Sequence, residues 1–170
     1  MKEKSSTAYL LLGSNIGDRL YYLEECIRLL TEHLEIGQRS SIYETAAWGD
    51  REQQAYLNMA LEVCTDISPA DLHQTTRAIE QYLGRKDKGN YQPRTLDIDI
   101  LFYGEEIILS NNLTIPHPRL QFRRFVLVPL NEIAPKLIHP VFRKNIQTLL
   151  DECRDDLPVE IFPSDKNNCR

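Results

Sequence analysis

Two aspartates one residue apart, Asp97 and Asp99, stand inside an otherwise apolar run, RTLDIDILFY (residues 94–103). The run alternates with a period of two. Leu96, Ile98, Ile100 and Phe102 fall on one face of a strand, and Asp97, Asp99, Leu101 and Tyr103 on the other. Burial of the aliphatic face against helices leaves the two carboxylates side by side, their Cα atoms roughly 6.6 Å apart at about 3.3 Å of rise per residue. Carboxylates that close repel each other unless a positive charge lies between them. Oxygen ligands in this arrangement suit Mg²⁺, as one ion or as two sharing the pair. The bland alternative is two solvated aspartates on an edge strand. Aspartate is depleted in strands, and basic residues flank the run on both sides, which favours a metal and phosphate site.

Two further clusters converge on the acidic pair. The loop ahead of it, RKDKGNYQPR (85–94), carries Arg85, Lys86, Lys88 and Arg94. Arg94, three residues before Asp97, can fork onto phosphate oxygens that a metal bridges, whereas any single member of this loop could equally be a solvated charge. Beyond the run, IPHPRLQFRRF (115–125) holds His117, Arg119, Arg123 and Arg124. The prolines on either side of His117 stiffen its backbone and present the imidazole at a defined point.

A third set is aromatic and amide: Thr45, Trp48, Tyr56, Asn58 and Phe125. Asn58 shares a strand face with Tyr56, and its amide offers a donor and acceptors to the edge of a flat heterocycle. Tyr56 and Phe125 can hold such a ring between their faces, although each aromatic taken singly is more often core. A metal-bridged polyphosphate beside a slot for a flat polar ring points to phosphoryl-type transfer from a nucleotide to a heterocyclic alcohol. Neither a G-x-x-x-x-G-K-[ST] loop nor the protein-kinase motifs occur. These residues alone do not name the acceptor.

The elements that must position these groups follow from periodicity. An apolar run at 8–12 ends in the loop GSNIGD (13–18) and predicts a buried first strand. Asp18 caps a helix expected over 19–35, with Leu20, Leu23, Ile27, Leu30 and Leu34 as its inward stripe and Cys26 packed beside it. Strands are expected over 39–45 and 56–65, the second alternating cleanly. Ser68 and Pro69 open a second helix that runs to about Leu83, where Gly84 supplies the stop. The aspartate strand follows, then a short strand at 107–109 and a short helix over 124–133, against which Pro129 counts. A last helix is expected at 146–154 and a last strand at 159–162. The order strand–helix–strand–strand–helix–strand is the split β-α-β arrangement. It predicts an α+β, ferredoxin-like fold: a mostly antiparallel sheet with helices packed on it and C-terminal additions.

Composition narrows the setting. The chain has 170 residues, 42% of them hydrophobic and 26% charged, which suits one soluble domain that builds its own core. We expect an ordered core over 7–162 and a frayed tail from 163 to 170. A net charge of −5 argues against non-specific nucleic-acid binding while leaving room for a local basic pocket. Four scattered cysteines show neither metal spacing nor a disulfide framework, so reduced thiols and a cytoplasmic location are expected. The N-terminal apolar run is too short for a signal peptide or a membrane span.

Taken together, the motifs resemble those of the 6-hydroxymethyl-7,8-dihydropterin pyrophosphokinases. The matching stretches are LGSNIGD (12–18), YETAAWG (43–49), YLN (56–58), E-x-x-x-GR (80–85), PRTLDIDIL (93–101), IPHPR (115–119) and RRFVLVPL (123–130). The DIDIL and HPR blocks are the most specific. The resemblance implies transfer of the pyrophosphoryl group of ATP to the hydroxymethyl oxygen of the pterin, with release of AMP, in folate biosynthesis. It implies that Asp97 and Asp99 hold two Mg²⁺ ions and that Arg85 and Arg94 act with them in catalysis. It places the pterin against Thr45, Trp48, Tyr56, Asn58 and Phe125, and ATP against Arg85, Lys88, Arg94, Ile100, His117 and Arg123. The implied partners are these small molecules, with no nucleic acid and no membrane, for a monomer. Glu80 matches a family glutamate; pairing on a helix surface is its plain reading. Three departures stand out. The basic loop is shorter than the long family version, so Lys86 or Lys88 takes over from its further arginines; Ala46 replaces a frequent proline; and Pro118 stands where some members carry tyrosine.

Overall fold

The structure, a computed structural model, describes residues 5–47, 52–86 and 93–163. Trp48 and Lys88 lie outside these residues, as does the tail from 164 onward. A six-stranded sheet forms the centre, built from β1 (Ser6–Ser14), β2 (Glu35–Arg39), β3 (Tyr43–Thr45), β4 (Tyr56–Thr65), β5 (Asp97–Tyr103) and a late strand, Val159–Ile161. Its order is β5-β1-β4-β3 and then the late strand, with β2 also paired to β4. Every pairing is antiparallel. Helix α1 (Arg19–Leu30) bridges β1 and β2, and α2 (Pro69–Tyr82) bridges β4 and β5. This is the expected ferredoxin-like arrangement.

Both faces of the sheet are covered. One face packs Leu10, Leu12, Leu61, Ile98 and Ile100 against Leu23, Ile27 and Leu30 of α1 and Leu72 and Ile79 of α2. Cys26 is fully buried there, as packing. The alternating residues Leu11, Ala60 and Leu101 pack against α3 (Arg124–Ile133) and α4 (Ile146–Glu152), the C-terminal additions. Between β5 and α3 lie a small β6 (Ile108–Leu109) and β7 (Thr114–Ile115) pair and a 3-10 turn at Leu120–Phe122. The late strand is β8. Helix α3 spans the expected residues with Pro129 inside it. Its first turn is capped from outside, since Asp155 Oδ2 accepts the Arg124 N–H at 2.9 Å.

Three expectations are corrected. Helix α1 stops at Leu30 rather than Glu35, and residues Glu35–Arg39 form β2. This edge strand buries almost nothing, so EIGQR carries no alternating apolar signal. The strand expected over 39–45 is correspondingly reduced to Tyr43–Thr45. Finally, β5 does not keep strict alternation. Leu10 faces Ile100 and Tyr9 faces Phe102, which leaves Leu101 as an extra residue against β1. This β-bulge turns Phe102 onto the α3 side and Tyr103 into the α1–α2 core. Asp97 and Asp99 lie before the bulge and keep their expected face.

Candidate active site

The aspartate pair forms the wall between two cavities. The first, about 330 Å³, is lined by Gly13, Thr45, Tyr56, Asn58, Arg119, Arg123 and Phe125. The second, about 310 Å³, is lined by Glu80, Arg85, Ile100, Asn112, His117 and Pro118, among others. Arg94, Asp97 and Asp99 line both.

Strand pairing sets the first cavity. In the β3–β4 ladder Thr45 lies opposite Tyr56 and Tyr43 opposite Asn58, which brings the polar edge and the aromatic ring together. Asn58 Nδ2 donates to Thr45 Oγ1 at 3.1 Å. Across the sheet Gly13 faces Asn58, and a Cβ at Gly13 would meet Asn58 Oδ1 at 3.0 Å. Glycine is therefore needed there by the closeness of the amide. Phe125, from the first turn of α3, supplies the second aromatic wall. The Arg123 guanidinium sits 5.6 Å from its ring centre. Burial, and then the Asp97 charge, push the Tyr56 hydroxyl pKa up.

Between the cavities, Asp97 Oδ1 accepts from Arg85 Nη1 at 2.8 Å and from Arg94 Nη1 at 3.0 Å. Burial works against the Arg94 charge, yet Asp97 holds its pKa above the ordinary value. Asp99 Oδ2 lies 3.9 Å from His117 Nε2. Burial, with the neighbouring Asp97 and Glu80 charges, raises the Asp99 pKa. A half-buried carboxylate beside another is electrostatically short of a cation. The His117 pKa is lowered to about 4 by burial and by Arg123, so its ring is neutral. Its backbone is anchored by the bulge: the His117 N–H donates to the Leu101 carbonyl at 3.0 Å.

Glu80 is a correction. It projects from α2 but is 1% exposed, so its pairing with the more exposed Arg77 one turn back is only part of what it does. Its Oε1 accepts the Ile98 N–H at 2.7 Å and pairs with Arg85, while Oε2 meets Arg77 Nη1 at 3.1 Å. Burial raises its pKa to about 7 against the pull of the Ile98 N–H and the two arginines. Glu80 thus aims Arg85 at Asp97. Gly84, at a φ of +87°, ends α2 so that Arg85 can turn back toward the pair.

Of the residues expected on the nucleotide side, Arg85, Arg94, Ile100 and His117 line the second cavity. Arg123 instead lines the first, beside Phe125. Arg124 opens α3 and lines neither. Sequence reasoning missed Gln53, which lines the first cavity, and His73 and Arg77, which line the second. These three are polar residues on a loop or a helix and carry no distinguishing spacing.

The model of the 7,8-dihydro-6-hydroxymethylpterin-pyrophosphokinase (HPPK) family matches residues 9–135. The chain belongs to this family. Similar proteins include 2-amino-4-hydroxy-6-hydroxymethyldihydropteridine pyrophosphokinase of Aquifex aeolicus, 42% identical over 147 residues, covering 86% of this chain and 92% of that one. The Bacillus subtilis pyrophosphokinase is 44% identical over 135 residues, covering 78% and 81%. A crystal structure of wild-type Plasmodium falciparum HPPK-DHPS shares the pyrophosphokinase fold, with a TM-score of 0.72 at 18% identity. The alignment covers 88% of this chain and 45% of that longer protein, and it speaks for the fold alone.

Proposed function

We propose that the two cavities seat the two substrates of the family's reaction and that the acidic pair marks where they meet. In that reaction the pyrophosphoryl group of ATP passes to the hydroxymethyl oxygen of 6-hydroxymethyl-7,8-dihydropterin, and AMP leaves. The observation that carries this reading is the shared wall: Arg94, Asp97 and Asp99 are the only described residues that line both cavities. The pterin takes the first cavity, its ring between Tyr56 and Phe125 and its polar edge at Thr45 and Asn58; Trp48, outside the described residues, is proposed as a further pterin contact on the family resemblance alone. The triphosphate takes the second, against Arg85, Ile100 and His117, with Arg123 reaching from the pterin side; Lys88, outside the described residues, is proposed as a further ATP contact on the family resemblance alone.

Among the described residues no group of three or more His, Cys, Asp or Glu side chains could hold a metal ion. Two adjacent carboxylates alone fit Mg²⁺, which keeps several waters and takes phosphate oxygens as ligands. Two such ions, when bound to Asp97 and Asp99, supply charge neutralisation on the phosphates and activation of the attacking hydroxyl. The chain's own residues do the rest. Arg85 and Arg94, already aimed at the meeting point by Glu80 and Asp97, stabilise charge spreading onto the transferred group. Neutral His117 offers hydrogen bonding without a competing charge. The aromatic walls orient the acceptor and keep water from its hydroxyl.

We also read the chain as one domain over residues 1–170 and as a cytoplasmic monomer whose partners are these small molecules. One sheet carries both cavities, the described cysteines are free, and no helix among the described residues is long and apolar enough to cross a membrane. Sedimentation at catalytic concentration checks the monomer. The decisive experiment follows AMP release from ATP with Mg²⁺ and the hydroxymethyl pterin. Asp97→Ala and Asp99→Ala should each slow turnover by on the order of 10³-fold or more. Near wild-type rates in both would remove the metal assignment, and AMP release without pterin would remove the acceptor. A catalytically silent binding domain is the weaker reading, because Arg85, Arg94, Asp97 and Asp99 all converge.

A further inference from the structure

The LGSN stretch at the end of β1 has found no place among the cavity roles so far. Asn15, the residue after that strand, is 1% exposed. A buried amide must find partners at both its ends, and Asn15 finds them on the two segments that lead into the site. Its Oδ1 accepts the Arg94 N–H at 2.8 Å, and its own N–H donates to the Arg94 carbonyl at 3.1 Å. In the other direction Nδ2 donates to Gln53 Oε1 at 3.2 Å and to the Gln54 carbonyl at 3.3 Å. Those residues lie just ahead of Tyr56, and Gln53 lines the first cavity.

Arg94 needs such a fastening. The β1–β5 ladder begins with Gly13 opposite Asp97, so Arg94 precedes it and strand pairing does not hold it. Yet its guanidinium has to lie 3.0 Å from Asp97 Oδ1, at the wall both substrates share.

We propose that Asn15 is a positioning residue for pyrophosphoryl transfer: it clamps both main-chain groups of Arg94 to the end of β1 and ties the segment leading into Tyr56 to the same point. The inference rests on Arg94 acting on the transferred group, as read above. It assigns Asn15 no contact with substrate. Misplacement of a reacting group by about 1 Å costs on the order of 10²-fold in rate, so the clamp should show mainly in kcat.

The test compares Asn15→Ala, Arg94→Ala and the double variant for kcat, pterin KM and melting temperature. Asn15→Ala should lower kcat by about 10- to 100-fold, and the double variant should be no slower than Arg94→Ala, within about twofold. Asn15→Asp keeps the acceptor for the Arg94 N–H but sets an oxygen against the Gln54 carbonyl. It should therefore raise pterin KM while kcat stays within about threefold of wild type. That split carries the test if the alanine variant does not fold. Multiplying losses in the double variant, an Asn15→Ala enzyme with wild-type kcat, or an Asn15→Asp enzyme that loses kcat as heavily as it gains KM would each overturn the clamp. A wild-type rate in Arg94→Ala would instead overturn the reading of Arg94, and the clamp with it.

Discussion

Glu80 contributes to the site through burial. One carboxylate, itself 1% exposed, satisfies the Ile98 N–H and neutralises parts of Arg77 and Arg85. Removing one partner of a buried ion pair strands the others, so Glu80→Ala should cost about 3–5 kcal/mol in urea unfolding. Glu80→Gln keeps an acceptor for Ile98 and should cost clearly less. His139 is a second buried group far from the chemistry. It packs edge-on against Phe102, at 5.5 Å between ring centres, and its Nδ1 accepts the N–H groups of Val141 and Phe142. Burial holds its pKa below the ordinary histidine value. The unfolded chain, with a histidine pKa of about 6.5, then binds the proton more readily than the native state. The contribution is fully present above about pH 6.5 and is lost as pH falls through the lower native value. Urea midpoints measured from pH 7.5 to 5 should fall more steeply in wild type than in His139→Asn. The aspartates, arginines and aromatics of the site were legible because their types and spacing announce chemistry. Glu80 and Asn15 were not, because what makes them matter is burial and the distant backbone groups they reach.

At the level of elements, the regular pieces came through where the apolar period was strong. Strand β4 and helices α2 and α3 lie within a residue of expectation. Strand β2 and the bulge were hidden: one carries a single apolar residue, Ile36, and the other is a mismatch between two strands that neither contains alone. The late strand β8 has a functional consequence. It pairs with β3, putting Val159 opposite Thr45, and Phe162 just beyond it packs on Arg19, 5.8 Å from the guanidinium to the ring centre. Arg19 Nη1 in turn donates to Glu44 Oε2 at 2.6 Å and to the Ala55 carbonyl at 2.7 Å, the neighbours of Thr45 and Tyr56. Phe162→Ala should therefore weaken pterin binding by about three- to tenfold, since partly exposed charge pairs are individually modest. The nucleotide affinity should stay within about twofold. Titration calorimetry with each ligand separates the two outcomes.

Across the whole molecule, the net charge of −5 conceals a strongly uneven distribution. Arg77, Arg85, Arg94, Arg119 and Arg123 line the two cavities with Glu80, Asp97 and Asp99. Such a local field suits the triphosphate proposed for the second cavity. Binding of a non-hydrolysable ATP analogue should weaken several-fold between about 0.05 and 0.5 M salt, as screening shortens the reach of the arginines. Pterin binding, proposed above to rest on stacking and amide contacts, should change little. The sheet topology was foreseeable from element order. The division of the space above it into two rooms was not, because the walls facing Arg94, Asp97 and Asp99 on either side come from segments far apart in the sequence.

The single surplus residue in β5 has a use beyond relieving strand pairing. Leu101 gives its carbonyl to the His117 N–H, so the histidine is hung from the irregularity itself. Deleting Leu101 would straighten the strand, leave Phe102 opposite Tyr9 on the α3 side and take away the hook. Such a chain could keep both acids in register with β1 and still fail at the triphosphate, its imidazole set adrift by a shortening two residues downstream of the carboxylates.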